Sequence, residues 1–404
     1  MVPTSRRAKL ADLVTLNPRL AKPLGSEDLV SFVPMIAVDA DTASISTTEV
    51  RRYADVSKGY TTFEDGDILV AKITPCFENG KIAQVKIVHS PGFGSTEFHV
   101  LRPHHGELDS RYLLHYLRQD RVRHDGERKM TGSAGQRRVP PHFFENLYLL
   151  LPPIVEQRRI AAALDQVEEL RGKRREALTQ LEELTQSIFF EMFGDPTKRQ
   201  ESWNISNLRN IVSEFRYGTS NKSQPQGVPA LRIPNVTNSE IDTSDLKLVP
   251  VSSSERERLR LLEGDLLFVR TNGNPNLVGR CAIYNRDVAA RSGRPGEDFI
   301  YASYLIRARL KMDVISPVYL REFMLGPAGR RALRSRSKTS AGQFNINTES
   351  LGAIEVPVPP LDLQQEYVRR VEAVAELKNN HRAYLAELDA LSASLQYRAF
   401  QGEL

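Results

Sequence analysis

The sequence predicts an α+β chain built twice over: a mixed α/β lobe, a long helix, a second mixed lobe and a second long helix. Three observations lead there. Short motifs return at a constant shift, the stretches around them carry the short apolar runs and turn residues of strands, and the segment after each proline pair has an apolar period of about 3.5 residues.

The repeat comes first. Ser133-Ala134-Gly135-Gln136 returns as Ser340-Ala341-Gly342-Gln343, 207 residues later. Tyr112-Leu113, Pro152-Pro153 and Gln157 return at the same shift as Tyr319-Leu320, Pro359-Pro360 and Gln364. Gly66-Asp67-Ile68-Leu69-Val70 returns as Gly264-Asp265-Leu266-Leu267-Phe268 at a shift of 198, and the difference is absorbed by extra loop around 291–298. Any one match is chance-level; their shared order and spacing is not.

Within the lobes, β-like runs are expected at 67–73, 82–88, 265–270, 281–284 and 301–306, separated by turn residues such as Glu78-Asn79-Gly80 and Thr271-Asn272-Gly273-Asn274-Pro275. Apolar runs at 147–151 and 354–358, each stopped by proline, close the lobes. The expected segments are a first lobe over 1–152, a helix over 153–193, a second lobe over 194–359 and a helix over 360–404.

In the first helix the seam runs Ile160, Leu164, Val167, Arg171, Arg174, Leu178, Leu181, Thr185, Ile188, Met192. The second repeats it as Tyr367, Val371, Val374, Lys378, His381, Leu385, Leu388, Ser392, Leu395, Ala399, with polar interruptions at the same places. Two unrelated helices, each packed on its own lobe, would not keep such interruptions in register, so the helices are expected to pair as a coiled coil. Ala163, Leu170, Ala177 and Leu184 widen the stripe enough for a further partner. A helix of about 40 residues is ~60 Å long, so an antiparallel pair would act as a ruler between two heads.

Composition narrows the classes. At 404 residues, 40% hydrophobic and 26% charged, the chain suits two or three globular domains. It holds no apolar run of about 18 residues, so no membrane partner is expected. The N-terminal Met1, Val2, Pro3, Thr4 and the following Arg6 and Arg7 lack the apolar core of a secretion signal. Cys76 and Cys281 are the two cysteines, which fits a reducing cytoplasm and excludes a cysteine-built zinc site. The eight histidines show no helical metal spacing; His104, His105, His115 and His124 read as surface residues.

The net charge of +5 is only a weak hint of a polyanionic partner, but its placement says more. Residues 118–138 hold seven basic and three acidic side chains and end in Gly135-Gln136-Arg137-Arg138; residues 321–338 hold six basic and one acidic and lead into Gly342-Gln343-Phe344-Asn345. Arginine and lysine neutralise phosphates, while Gln, Asn and Arg read base edges. Two such clusters at matching positions point to duplex DNA, read at two unlike half-sites with a fixed spacer. The candidate contacts in the first lobe are Lys72, Thr74, Asn79, Arg128, Lys129, Ser133, Gln136, Arg137 and Arg138. In the second they are Arg270, Thr271, Asn272, Arg334, Arg336, Lys338, Gln343 and Asn345.

A proline pair and glutamine opening a long heptad helix, twice, with Phe189-Phe190-Glu191-Met192-Phe193-Gly194-Asp195 ending the first and Ala399-Phe400-Gln401-Gly402-Glu403-Leu404 the second, resembles the specificity subunits of type I restriction-modification systems. The resemblance covers essentially the whole chain. It implies two target-recognition domains, each reading part of a split site on double-stranded DNA. It also implies an antiparallel coiled coil that docks two modification methyltransferase subunits, joined by restriction (motor-nuclease) subunits. The second helix departs slightly, with Asp362-Leu363-Gln364 in place of Glu156-Gln157. No Gly-x-Gly-x-x-Gly, phosphate-binding loop or Asn-Pro-Pro-Tyr tetrad occurs, and Asn274-Pro275-Asn276-Leu277 is a partial echo of the last. The chain is therefore expected to be non-catalytic and to hold no cofactor and no metal, with S-adenosylmethionine, ATP and magnesium on partner subunits. The alternatives are a self-contained nuclease or methyltransferase with an unrecognised site, and a coiled-coil protein adaptor.

Overall fold

A computed structural model describes residues 6–133, 135–195, 203–237, 240–285, 287–340 and 342–403. The N-terminal Met1, Val2, Pro3 and Thr4, together with Ala134, Ala341 and Leu404, lie outside them. The chain divides into two compact units, Met1–Leu178 with Asn380–Leu404, and Thr179–Asn379.

The apolar run after each Gly-Asp pair becomes an interior strand because neighbours cover both its faces. In the first unit Ile68–Ala71 lies between Phe98–Pro103 and Ile82–Gln84, with Val14–Leu16 outermost. In the second, Leu266–Val269 lies between Leu305–Leu310 and Cys281–Ile283, with Val212–Tyr217 outermost. All pairings in these two sheets are antiparallel. The aspartate before each strand is buried and fixes the turn. Asp67 accepts from the Glu64 N–H at 2.7 Å and from Arg102 through both oxygens at 2.9 Å. Asp265 accepts from the Leu262 N–H at 2.8 Å and from Arg309 at 2.9 and 2.8 Å.

A second sheet in each unit, four-stranded in the first and three-stranded in the second, contains one parallel pair, Leu29–Val33 with Gly92–Gly94, and Val228–Leu231 with Ile300–Tyr301. The single strand expected over 301–306 is divided by a turn in which the Leu305 N–H bonds the Ala302 carbonyl at 2.9 Å. Ile300–Tyr301 joins the smaller sheet and Leu305–Leu310 the larger. The proline-stopped runs form Tyr148–Leu151, paired with Arg6–Lys9, and Glu355–Val358, paired with Asn204–Asn207.

The long helices run Ile154–Phe193 and Leu361–Gln401. Their starts are latched by the repeated glutamines, both fully buried. Gln157 accepts from the Asp109 N–H at 2.9 Å and donates to the Glu107 and Pro152 carbonyls at 2.9 and 2.8 Å. Gln364 repeats this with the Ser316 N–H at 2.8 Å and the Val314 and Pro359 carbonyls at 3.2 and 2.8 Å. The repeated tyrosines bind the closing strands, Tyr112 through the Leu150 carbonyl at 2.8 Å and Tyr319 through that of Pro357 at 2.9 Å. The departure at Asp362-Leu363 leaves this latch unchanged.

In the first unit the helices pair antiparallel: Glu168 meets Ser392 at 3.3 Å, Arg171 meets Asp389 at 2.6 Å, and the repeat-related Arg174 and His381 meet at 3.3 Å. In the second unit Lys378 donates to Thr185 at 3.1 Å and Arg370 lies 3.6 Å from Glu191. Two pairs of the shared polar interruptions are thus partners, Arg174 with His381 and Thr185 with Lys378, while Arg171 and Ser392 both meet Glu168. Ile160, Leu164, Val167, Ile188, Val371 and Val374 are buried, whereas Leu178, Leu181, Leu385, Leu388 and Leu395 are half-buried. Leu170, Leu184, Leu377 and Leu391 stand exposed beside that seam.

His115 corrects the sequence reading. It is buried, not on the surface, because it bonds Asp165 of the first long helix at 2.7 Å, beside Arg111, which reaches the same carboxylate at 3.0 Å. Burial pushes the Asp165 carboxyl upward, but hydrogen bonds from His115 and Arg111 outweigh it and hold the group at about 2. In the unfolded chain it protonates near ~3.9. The stability it contributes is therefore complete above that value and disappears as pH falls through about 2. The stability difference between wild type and Asp165→Asn should shrink on acidification from roughly pH 5 to roughly pH 2; a constant difference in urea melts across that span would contradict the assignment.

Candidate DNA-reading faces

Each unit joins the two stretches singled out in the sequence, the segment after the Gly-Asp strand and the Gly-Gln turn. In the second unit they form one sheet. Gln343–Asn345 pairs with Thr271–Asn272 on one side and Lys338–Ser340 on the other. The register sets Thr271, Asn345 and Lys338 on a single rung. Gln343, two residues from Asn345, shares their face, and its side-chain oxygen accepts from the Thr271 hydroxyl at 3.2 Å. Phe344 takes the opposite face and packs on the core. Four predicted residues, Thr271, Lys338, Gln343 and Asn345, thereby line one polar face.

In the first unit the contact is narrower. The Thr74 N–H bonds the Arg137 carbonyl at 3.0 Å, the Val139 N–H bonds the Lys72 carbonyl at 2.9 Å, and Arg138 bridges to Ile73 and Thr131. The turn between them places Gly135 at φ +83°, and Gly342 of the second unit sits at φ +76°. A side chain would strain either backbone, which accounts for the repeated glycine. Ser133 and Gln136 are exposed at this turn.

The remaining predicted residues have mixed settings. Arg128 is exposed and pairs with Asp125 at 2.6 Å, and exposed Lys129 lies over the Phe143 ring at 5.8 Å. Arg137 approaches Glu78 at 3.7 Å, and Asn79 is exposed on the loop that follows. Arg138 is tied to Glu97 at 2.7 Å, which holds the Glu97 carboxyl below its ordinary range. Arg270 stacks over Tyr217 at 4.6 Å, Asn272 caps its own turn through the Asn274 N–H at 2.8 Å, and Arg336 donates to the Ala353 carbonyl at 3.0 Å. Arg334 is exposed and bonds the Asn276 side chain at 2.6 Å.

The model of the type I restriction modification DNA specificity domain matches residues 7–182. The chain is 42% identical over 159 residues to the Type I restriction enzyme EcoEI specificity subunit of Escherichia coli, covering 39% of this chain and 27% of that protein. It is 29% identical over 323 residues to the EcoKI specificity subunit of Escherichia coli strain K12, covering 76% of this chain and 68% of that one. Over these stretches the chain is similar to type I restriction-modification specificity subunits. The match thus spans about a quarter of the first relative's length and about two thirds of the second's. The fold is that of the solved type I restriction-modification system S subunit from M. genitalium, with a TM-score of 0.56 at 14% identity over 99% of both chains.

The residues that sequence reasoning missed are those that brace the candidate loops. Arg123 donates to the Glu78 carbonyl at 3.2 Å, and Arg330, 207 positions later, donates to the Asn276 and Val278 carbonyls at 2.9 and 3.0 Å. Both had been counted as phosphate-facing charge. The signal lay in their common shift, shared by Arg102 and Arg309. Among the described residues no cluster of three or more His, Cys, Asp or Glu is placed to hold a metal, and no helix is long and apolar enough to cross a membrane.

Proposed function

We propose that the chain is the non-catalytic DNA-recognition subunit of a cytoplasmic type I restriction-modification complex. Each lobe reads one half of an asymmetric bipartite site on double-stranded DNA. The helix pair sets the spacing and docks two modification methyltransferase subunits along the exposed leucines, and restriction subunits join that core. Methyl transfer from S-adenosylmethionine and ATP- and magnesium-dependent cleavage belong to those partners. The functional segments on this reading are the recognition domains 1–152 and 194–359 and the helices 153–193 and 360–404. The supporting observation is the polar face of Thr271, Lys338, Gln343 and Asn345, backed by Phe344.

Side chains that reach base edges should alter which sequence is preferred, and those that reach phosphates should alter affinity for all sequences. Gln343→Ala should relax discrimination by ~1–3 kcal/mol at positions of one half-site only. Arg334→Ala should weaken binding to every duplex and make the salt dependence shallower by about one phosphate contact. Fluorescence anisotropy of the complex with its modification subunits, over a salt series and a set of duplexes, separates the two. Equal affinity of the wild-type complex for all duplexes would sink the proposal.

A further inference from the structure

A polar cavity of about 150 Å³ in the first unit is lined by Arg118, Arg123, Arg171 and Arg175, with Asp41 the one carboxylate residue among its walls. Such a concentration of guanidinium groups is unfavourable unless something offsets it. Arg171 is offset in place, by Glu168 and Asp389, each at 2.6 Å, and Arg123 pairs with Asp120. Arg118 donates instead to the neutral carbonyls of Ala40 and Asp41 at 2.8 and 3.2 Å. Burial lowers its basicity, and the neighbouring Arg123, Arg171 and Arg111 act in the same direction against Glu168. The Arg123 Nε–H is buried without a hydrogen-bond partner among the described residues, a donor whose isolation costs ~1–3 kcal/mol.

We propose that this cavity is an oxyanion site that takes one tetrahedral phosphate-class group between the four arginines. Guanidinium forks match the paired oxygens of such a group, and a buried donor is available to it. The volume suits a single phosphate; whole small-molecule ligands occupy roughly 300 Å³ or more. The repeat makes the site specific to the first lobe. Arg330, Lys378 and Arg382 stand 207 positions after Arg123, Arg171 and Arg175, but Leu325 stands where Arg118 would recur.

The phosphate has two possible sources, a free ion or the backbone of bound duplex. Asn79 borders the cavity and belongs to the proposed reading loop, so the second source rests on the DNA-recognition reading while the site itself does not. The test is calorimetric titration of the full chain with inorganic phosphate, against chloride at matched ionic strength. One saturable site is expected, weakened about tenfold or more in both Arg118→Gln and Arg175→Gln, and unchanged in Arg52→Gln, an exposed arginine outside the cavity. Melting curves in chloride verify that each variant is folded, and Arg175→Gln carries the comparison if Arg118→Gln is not. Displacement of phosphate by mixed-sequence duplex identifies the backbone as occupant, and phosphate affinity unchanged by duplex identifies the free ion; either supports the site. Absence of a saturable phosphate signal in the wild type, or wild-type affinity in a folded Arg175→Gln chain, overturns it.

Discussion

Replacing Phe400 with alanine is expected to destabilise the first unit by ~3–5 kcal/mol, although this residue lies at the far end of the sequence from that unit's sheets. Its ring is buried 5.0 Å from Tyr112 and 5.5 Å from Tyr116, in one core with Leu113, Phe143 and Leu164. The first core is therefore closed by the last turn of the second long helix. The second unit is built the same way from the other helix, with Phe193 packed 4.7 Å from Tyr319 and 5.3 Å from Tyr367. A Phe-to-Ala truncation removes a large buried surface and leaves a cavity that the surrounding tyrosines, held by their hydroxyl bonds to Leu150 and Tyr148, cannot collapse to fill. Hydrogen exchange gives the readout. Phe400→Ala should raise exchange at 112–117 and leave 319–324 protected, and Phe193→Ala should do the reverse. Unchanged protection at 112–117 would remove the second helix from the first core.

The repeat, the helix pair and the closing strands were legible in the sequence because each rests on a periodic or translational pattern that local chemistry preserves. The polar interruptions at Arg171, Arg174 and Thr185 are the clearest case: their register with Lys378, His381 and Ser392 anticipates the contacts of Arg174 with His381 and of Thr185 with Lys378. Side-chain roles were less legible, since an arginine that braces a loop and one that faces solvent have the same local signature. Arg123, Arg330 and Arg336 sit in basic runs yet bind backbone carbonyls of their own units. His115 was misread because its partner, Asp165, is 50 residues away on another element. The Tyr301 region was read as one strand because both halves are apolar, while the turn that divides them uses Ala302, Ser303 and Tyr304, which carry no glycine or proline signal.

Removing the Asp265 carboxylate is the other change with a large expected cost, and it separates the Gly-Asp motif from the proposed reading face. Asp265 is 1% exposed and bonded twice by Arg309, with the equally buried Arg307 guanidinium 4.0 Å away. Arg307 also pairs with Glu214 and donates to the Arg260 carbonyl at 3.0 Å, so the buried Asp265 and Arg307 are joined by the half-buried Glu214 and Arg309 in one charge network. Breaking one partner of such a buried network leaves uncompensated charge, at a cost of ~3–5 kcal/mol. Asp265→Ala should lower the unfolding free energy of the second unit by that amount, and Asp265→Asn by less, since it keeps an acceptor for the Leu262 N–H. Gln343→Ala should have the opposite profile: exposed and remote from this network, it should change sequence preference with little loss of stability. If Asp265→Asn, folded well below its melting point, lost discrimination as Gln343→Ala does, the motif would belong to recognition. Normal discrimination with reduced stability is expected, because the aspartate's side-chain hydrogen bonds go to Leu262 and Arg309, outside the three-stranded sheet that holds Thr271, Lys338, Gln343 and Asn345.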